Sequence, residues 1–211
     1  MLPVDAIGDK FWSWLLKIDE GIGARVAAAG CQHCGGPLHR GDFPRKPRCG
    51  ALVITEPGWA RRIGLCCGRT GCRKRALPPS VRYLGRRVYV GAAVLLASAL
   101  ADVAMAAAKI VEQTGIPART VRRWQAWWKA GFLSSRLFRE QGGRFMPPLA
   151  EAELPGTLLE RFTLPGEDGQ VAMVRTAAFL APLTTASVVD GARFVRLDPA
   201  HAEEGAGSLE S

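Results

Sequence analysis

Histidine, tyrosine and acidic side chains are scarce in this sequence. The 211 residues include 3 histidines and 2 tyrosines, and 28 lysines and arginines outnumber 19 acidic residues. Catalytic zinc needs an open coordination position and a nearby general base, and residues 39–87 offer only Asp42 and Glu56 for that role. We find no His–Cys–carboxylate arrangement typical of a cysteine or zinc enzyme. The sequence therefore predicts a protein without a catalytic centre.

Export and membrane signals are also lacking. Residues 1–10 contain Asp5 and Asp9 and no basic start before an apolar stretch, so no secretory signal is expected. The most apolar segment, Val88–Ala108, is rich in alanine and carries Asp102, which favours a buried helix over a membrane span. We expect a cytoplasmic protein with no membrane partner. In a reducing cytosol its 6 cysteines are better suited to bind metal than to form disulfides.

Positive charge is concentrated in two central segments. Residues 39–87 carry 13 basic against 2 acidic side chains, and residues 109–139 carry 7 against 1. Residues 140–211 reverse the balance, with 5 basic and 11 acidic side chains. Clustered cations attract polyanions by releasing counterions, and nucleic acid is the most common such partner.

Two short-spaced cysteine pairs predict a metal site. Cys31 and Cys34 are separated by two residues, and Cys67 and Cys72 by four. The second spacing is wider than the usual two residues, which weakens the match of this pair to a zinc ribbon. Two such turns, joined by a short β segment, supply four thiolates to one tetrahedral Zn²⁺ in a zinc ribbon. Neighbouring strand residues point to opposite faces, so Cys66 and Cys67 cannot both be ligands. The shorter loop to Cys72 favours Cys67, although the spacing alone leaves Cys66 open.

Other groups near these pairs are given secondary roles. Cys49 is predicted to be a spare thiol, and His33 or His39 would act as a ligand only if a cysteine did not. Zinc is expected to act as a scaffold, because a segment rich in glycine and proline lacks the apolar mass to fold alone.

Basic residues flank the cysteine pairs on both sides. Arginines held by a rigid metal site suit phosphate or groove contacts in DNA. The predicted DNA-binding residues of this module are Arg45, Lys46, Arg48, Arg73, Lys74 and Arg75. Arg82, Arg86 and Arg87 are expected to extend the second cationic strip.

The stretch Ala107–Gln125 has the pattern of a helix-turn-helix. Gly115 lies where the chain must turn sharply, and Pro117 suits the start of the second helix. Val121 and Trp124 return at helical spacing to pack on the first helix. The helix 118–130 is then expected to read the major groove. Its outward, DNA-binding residues are predicted to be Arg119, Thr120, Arg122, Arg123 and Gln125.

The fold class predicted from these patterns is mainly α with a small β zinc ribbon, followed by a helix-turn-helix bundle. Helices are also expected at Leu149–Phe162 and Gln170–Leu180, after a linker at Gly142–Pro148. Short strands that could pair with each other are expected at Ala51–Thr55 and Arg62–Cys66. The predicted divisions are 1–30 (N-terminal helical segment, interrupted at Gly21 and Gly23), 31–87 (zinc-ribbon module), 88–139 (helix-turn-helix domain), 140–197 (C-terminal helical region) and 198–211 (flexible acidic tail).

The order of the two modules resembles that of small DNA-binding proteins carried by bacterial mobile elements of the insertion-sequence type. The resemblance covers about residues 31–130, and it rests on the cysteine pairs, Arg73 and Thr114–Trp124. It implies a regulator or an accessory factor in transposition. An active transposase is disfavoured, since about 80 residues remain after Trp128 and their acidic side chains resemble helix-surface charges. A tyrosine recombinase is disfavoured because Tyr83 and Tyr89 lie at the start of the helical region.

The leading hypothesis is therefore a zinc-stabilised protein that binds double-stranded DNA. Its acidic C-terminal region would mediate a homodimer or contact a transposase or recombinase partner. The alternative is a zinc-ribbon protein that binds RNA or single strands without sequence readout. Aromatic residues interleaved with cations would favour that alternative, and they are few between Cys31 and Arg87.

Overall fold

The computed structural model describes residues 9–44, 61–83 and 117–184. These residues form mainly helices with one small sheet and one short strand pair, which confirms the coarse fold class. Val88–Ala108, the expected strand at 51–55, the first half of the helix-turn-helix and the tail all lie outside the described residues. Among the helices that are described, none is long and apolar enough to cross a membrane.

The N-terminal helix α1 runs unbroken from Asp9 to Ala29. The prediction that Gly21 and Gly23 interrupt it is wrong. At Gly23 the reason is packing, because an added Cβ would lie 3.0 Å from Ile63 Cγ2. Because Gly23 has no side chain, α1 can pack closely against Ile63. This packing compensates for the poor helix propensity of glycine. The chain leaves the helix at Gly30, whose φ is +74°.

Within residues 30–44 and 61–83, five short antiparallel strands follow α1. They are β1 (Leu38–Arg40), β2 (Phe43–Pro44), β3 (Arg61–Arg62), β4 (Leu65–Cys67) and β5 (Arg75–Ala76). One sheet has the order β1-β4-β5, and β2 pairs with β3 separately. The strand expected at Arg62–Cys66 is divided at Gly64, where an added Cβ would lie 2.9 Å from the carbonyl oxygen of Gly41.

The described helices after Pro117 begin with α2 (Ala118–Ala126), which continues as a π-helical segment at Trp127–Phe132. The carbonyl of Pro117 accepts the amides of Thr120 (2.7 Å) and Val121 (3.3 Å). Helix α3 (Arg136–Gln141) is capped by the Ser135 hydroxyl, which accepts the amide of Phe138 at 3.2 Å. This satisfies an amide that has no partner within the helix.

Two further helices complete the described chain, α4 (Gly156–Phe162) and α5 (Gly169–Leu180). Helix α5 agrees with the prediction for 170–180. The helix expected at 149–162 begins only at Gly156, because Pro155 disfavours helical backbone in the residue before it. Leu154 accordingly has φ −68° and ψ 139°. Short 3₁₀ turns lie at Gly142–Arg144, Glu151–Glu153 and Ala181–Thr184.

One apolar core joins the π-helical segment to α3, α4 and α5. Its buried members are Trp128, Phe132, Leu137, Leu149, Leu154, Leu158 and Leu180. The core therefore extends across residue 140, where the sequence suggested a boundary between two regions. Residues on both sides of that point stabilise each other.

A buried polar network fixes α1 against residues 80–82. The Asp19 carboxylate accepts hydrogen bonds from Ser80 Oγ (2.5 Å), the Val81 amide (2.7 Å) and Arg82 Nε (2.8 Å). The side chains of Asp19 and Arg82 are both 0% exposed. The prediction that Arg82 belongs to a surface cationic strip is wrong, because its guanidinium is buried in an ion pair with Asp19. The amide of Ser80 also donates to Thr184 Oγ1 at 3.1 Å, which joins this network to the last described turn.

Candidate metal centre and cationic surfaces

Four cysteines converge between the end of α1 and the sheet. Cys31 follows α1, Cys34 ends the tight turn after it, Cys67 is the last residue of β4, and Cys72 precedes β5. Their four Sγ atoms all lie within 4.8 Å of one another. The structure thus brings together the four predicted ligands and selects Cys67 over Cys66. This cluster could hold a metal ion.

The sulfur–sulfur distances fit a single tetrahedral ion. Cys31 Sγ lies 3.8 Å from Cys72 Sγ, and Cys34 Sγ lies 3.5 Å from Cys67 Sγ. An ion with four sulfurs at 2.3 Å, the usual Zn–S distance, separates them by about 3.8 Å along each edge of the tetrahedron. A cluster with two irons would hold the two cysteine pairs farther apart. The arrangement therefore fits one ion with a preference for thiolate ligands.

The first turn is closed by its own backbone. The amide of Gly35 donates to the carbonyl of Cys31 at 2.7 Å, and the amide of Cys31 donates to the carbonyl of Gly36 at 2.9 Å. Gly35 has φ +68°, a conformation that glycine adopts without strain. At Gly36 an added Cβ would lie 3.3 Å from both Cys34 Sγ and Cys67 Sγ. The backbone therefore lies directly against the sulfurs.

The second turn is wider, and Arg69 organises it. The Arg69 amide donates to Cys67 Sγ at 3.4 Å, and its carbonyl accepts the Cys72 amide at 3.1 Å. Its guanidinium reaches the other turn, where Nη1 donates to the carbonyl of Cys34 at 2.9 Å. Arg73 completes the loop with φ +46°. A loop of four intervening residues thus brings Cys72 to the other three sulfurs, as a loop of two would. The wider spacing therefore does not exclude Cys72 from the cluster.

The thiols of Cys34 and Cys67 differ in acidity. The backbone amide of Gly36, followed by the hydrogen bond from Cys72, lowers the pKa of Cys34 to about 7. The Arg69 amide favours the Cys67 thiolate, but burial and the hydrogen bond that the Cys67 thiol donates to Cys34 outweigh it and raise the pKa of Cys67 to about 12. The Cys34 thiolate thus accepts hydrogen bonds from the neighbouring thiols. An entering cation would displace these protons and bind the thiolates.

The remaining nearby groups lie outside the ligand set. Cys66 points to the other face of β4, where its Sγ lies 3.6 Å from the carbonyl of Arg73. His33 and His39 are exposed and are not members of the four-residue cluster. The His39 ring covers Gly68, since an added Cβ there would lie 2.4 Å from His39 Nε2. Cys49 lies outside the described residues.

Replacing Gly36 with alanine is expected to weaken metal binding about tenfold, because the new methyl group would push two ligand sulfurs apart. The added Cβ would also lie 3.1 Å from Arg69 Cβ, so it has no free space to enter. The measurement is competition for the metal against a chelator. Gly41→Ala is the control, since an added Cβ there meets nothing within 4 Å. Equal affinities for the two variants would contradict the close approach at Gly36.

Helix α2 has a cationic outer face and an apolar inner face. Arg119, Arg122 and Arg123 are exposed, whereas Val121 and Trp124 are buried at 4% and 9% exposure. Gln125 is half-buried. Thr120, predicted to point outward, is only 5% exposed, so that prediction is wrong. Thr120 lies next to Val121, and the buried stripe of the helix is wide enough to include it.

A second cationic surface lies on the two cysteine turns and strands β1, β4 and β5, which we call the metal module. Arg73, Lys74 and Arg75 are exposed at the end of the second turn and the start of β5. Arg69, which was not singled out from the sequence, is exposed beside them. Its position between Cys67 and Cys72 was the available signal. Arg45, Lys46 and Arg48 lie outside the described residues.

Comparisons with protein-family models, with curated proteins and with solved structures gave no match to this chain.

Proposed function

We propose that this chain is a zinc-stabilised protein that binds double-stranded DNA, with α2 as the helix that enters the major groove. The observation that carries the proposal is the division of α2 into two faces. Three arginines are exposed on one face, and Val121 and Trp124 anchor the other. The helix ARTVRRWQA contains no acidic residue. Arginine is the side chain that most often reads guanine edges in the major groove, and it also neutralises phosphates.

Zinc is the proposed metal, and its proposed role is structural. Four thiolates at tetrahedral spacing form a closed ligand set, which leaves no position for substrate or water. The ion would connect the end of α1 to β4 and β5, whose strands are only two or three residues long. Such short strands bury little apolar surface, so metal ligation would supply much of the folding free energy of this module.

The exposed cations beside the metal centre support a second contact with the same DNA. Arg73, Lys74 and Arg75 follow one another after the second cysteine turn, and Arg75 begins β5. They suit phosphates, which position a protein on DNA without reading its sequence. We assign base reading to α2 and phosphate binding to the metal module. The resemblance to mobile-element proteins favours a cytoplasmic regulator or transposition accessory factor.

Replacing both Arg122 and Arg123 with alanine is expected to reduce duplex-DNA affinity about a hundredfold and to flatten the salt dependence by about 1 to 2 in log–log slope. The measurement is a selection from random duplexes with the zinc-loaded protein. It is followed by titration of the enriched sequence at several salt concentrations. The wild type should enrich a defined motif, and the variant should lose it.

Arg136→Ala/Arg139→Ala is the matched control, because it removes two exposed arginines from the neighbouring helix α3. Arg136 is already paired with Glu140 at 2.5 Å, so it is less available to phosphate. An equal loss of affinity in the control would show that α2 is not the reader. If no motif emerges and single strands compete with duplex, the metal-module cations are the binding surface and readout by α2 is excluded.

A further inference from the structure

The four-cysteine cluster is more accessible on one side than on the other. Cys31 and Cys67 are buried, whereas Cys34 and Cys72 are half-buried. Cys34 belongs to the first turn and Cys72 to the second, so the accessible side includes both turns. A competing ligand would therefore approach a bound ion past these two cysteines.

Arg69 forms hydrogen bonds with both of the more accessible cysteines. Its Nη1 donates to the carbonyl of Cys34 at 2.9 Å, and its carbonyl accepts the amide of Cys72 at 3.1 Å. Its own amide donates to Cys67 Sγ at 3.4 Å, which fixes the start of the second turn. One residue thus contacts three of the four cysteines, and two of these lie on the accessible side.

Two kinds of hydrogen bond, apart from the contacts between thiols, join one turn to the other. The first is between backbone groups, where the amide of Gly68 donates to the carbonyl of Pro37 at 2.9 Å beside the pairing of β1 with β4. The second is the bond from the Arg69 guanidinium to the Cys34 carbonyl. Between residues 31–37 and 67–74, Arg69 is the described residue whose side chain supplies such a link.

The charge and the stem of Arg69 both suit this position. Four thiolates around one divalent ion leave a net negative charge, and residues 31–37 and 67–74 contain no acidic side chain. A guanidinium at the Cys34 carbonyl places a cation beside that charge, and the cation strengthens the hydrogen bond. The stem lies against the first turn, since a Cβ added at Gly36 would lie 3.1 Å from Arg69 Cβ.

We propose that Arg69 is a positioning residue that retains the metal by holding the two turns together on the accessible side of the cluster. This inference rests on the metal centre of the proposed function and not on DNA binding. If the guanidinium left the Cys34 carbonyl, Cys34 and Cys72 could move apart, and an external ligand could replace a thiolate. The Arg69 side chain therefore controls the rate of metal release, whereas the four thiolates determine how many ions bind.

The test measures metal release from the full chain loaded with Co²⁺, whose absorption reports the thiolate ligands directly. Excess EDTA is added, and the decay of that absorption gives the dissociation rate. Arg69→Met keeps the stem but removes the donor and the charge, and it should release Co²⁺ about tenfold faster than the wild type. Arg69→Lys keeps a charged donor and should stay within about threefold of the wild-type rate.

Lys74→Met is the matched control, because it also removes one exposed cation from the segment around the second turn. It leaves the backbone bond in which the Lys74 carbonyl accepts the Cys67 amide at 2.9 Å. This variant should release Co²⁺ at the wild-type rate. Equal initial spectra would show that all four thiolates still bind, so that a faster decay belongs to the lost link.

The comparison between Arg69→Met and Arg69→Lys decides the role of the hydrogen bond. Faster release, or failure to take up Co²⁺, in Arg69→Met alone would support it. Equal behaviour of these two variants, or equal rates for Arg69→Met and Lys74→Met, would overturn it and leave the metal centre intact. A wild type that takes up no Co²⁺ would overturn the metal centre as well.

Discussion

Replacing Cys67 with serine is expected to reduce the bound metal from about one ion per chain to none. Cys67 has 0% exposure, and among the described residues no other histidine, cysteine or carboxylate belongs to the cluster that it forms with the other three thiols. A serine hydroxyl stays protonated near neutral pH and is a poor ligand for zinc. Structural zinc sites contribute about 10–16 kcal/mol of apparent binding free energy in zinc-finger peptides, so the metal module should lose its fold as well.

The measurement is the metal content of the purified protein, read together with the loss of α1 and sheet signal in circular dichroism. Cys66→Ser is the neighbouring control. Its sulfur lies on the opposite face of β4, 3.8 Å from the carbonyl of Cys67, and it should retain a full complement of metal. The opposite result, with metal lost in Cys66→Ser and kept in Cys67→Ser, would show that the ligand set is wrong.

Replacing Asp19 with alanine is expected to lower the free energy of unfolding by about 3–5 kcal/mol. The guanidinium of Arg82 would remain charged and buried after losing its carboxylate partner. The hydroxyl of Ser80 and the amide of Val81 would lose their acceptor as well. The hydrogen bond from Arg82 Nη2 to the carbonyl of Arg61, at 2.9 Å, does not neutralise the positive charge.

Denaturant unfolding at saturating metal measures this loss without interference from metal release. Glu20→Ala provides the control, because Glu20 is the next carboxylate on the same helix but its side chain is 48% exposed. Its contact with Arg40, at 3.6 Å, is a surface ion pair and should contribute less than about 1 kcal/mol. If the two variants were destabilised equally, the buried network would not be the main attachment of α1.

The metal centre was the part of this protein most readily predicted from its sequence. Both cysteine turns are local features, since the spacing of Cys31 with Cys34 and of Cys67 with Cys72 determines where each pair can meet. Alternation along a strand also separated Cys66 from Cys67 correctly. The width of the second turn was ambiguous because the decisive contacts are made by Arg69, whose amide and carbonyl cannot be assigned from spacing.

The buried charges could not be predicted in the same way, because they depend on contacts between distant segments. Arg82 lies in a basic stretch and was taken for a surface cation. Only its partner, 63 positions earlier, explains why it is buried. The sequence did contain a signal in α1, where Asp19 follows Leu15 by four residues and precedes Ile22 by three. A carboxylate on that buried stripe requires an internal partner.

The bounds of α1 and α4 show the same limit of prediction from sequence, here between residues that are closer along the chain. Gly21 and Gly23 have poor helix propensity, yet α1 continues through both because packing against Ile63 uses the space that Gly23 leaves. Pro155 has the opposite effect on the helix expected at 149–162, where a local restriction delays the start of α4. The local backbone preference of proline therefore determines where α4 begins, whereas tertiary packing determines that α1 continues through its glycines.

The buried pair of Asp19 and Arg82 also determines an order of events during synthesis. Chains grow at about 5–20 residues per second, so Asp19 is added about 3–13 s before the arginine that neutralises it. Cys31 and Cys72 are 41 positions apart, and Cys72 is added ahead of Arg82. All four thiols have therefore been incorporated before α1 can attach to its final partner. A metal ion bound by these thiols would then hold the growing chain near its folded arrangement until Arg82 reaches Asp19.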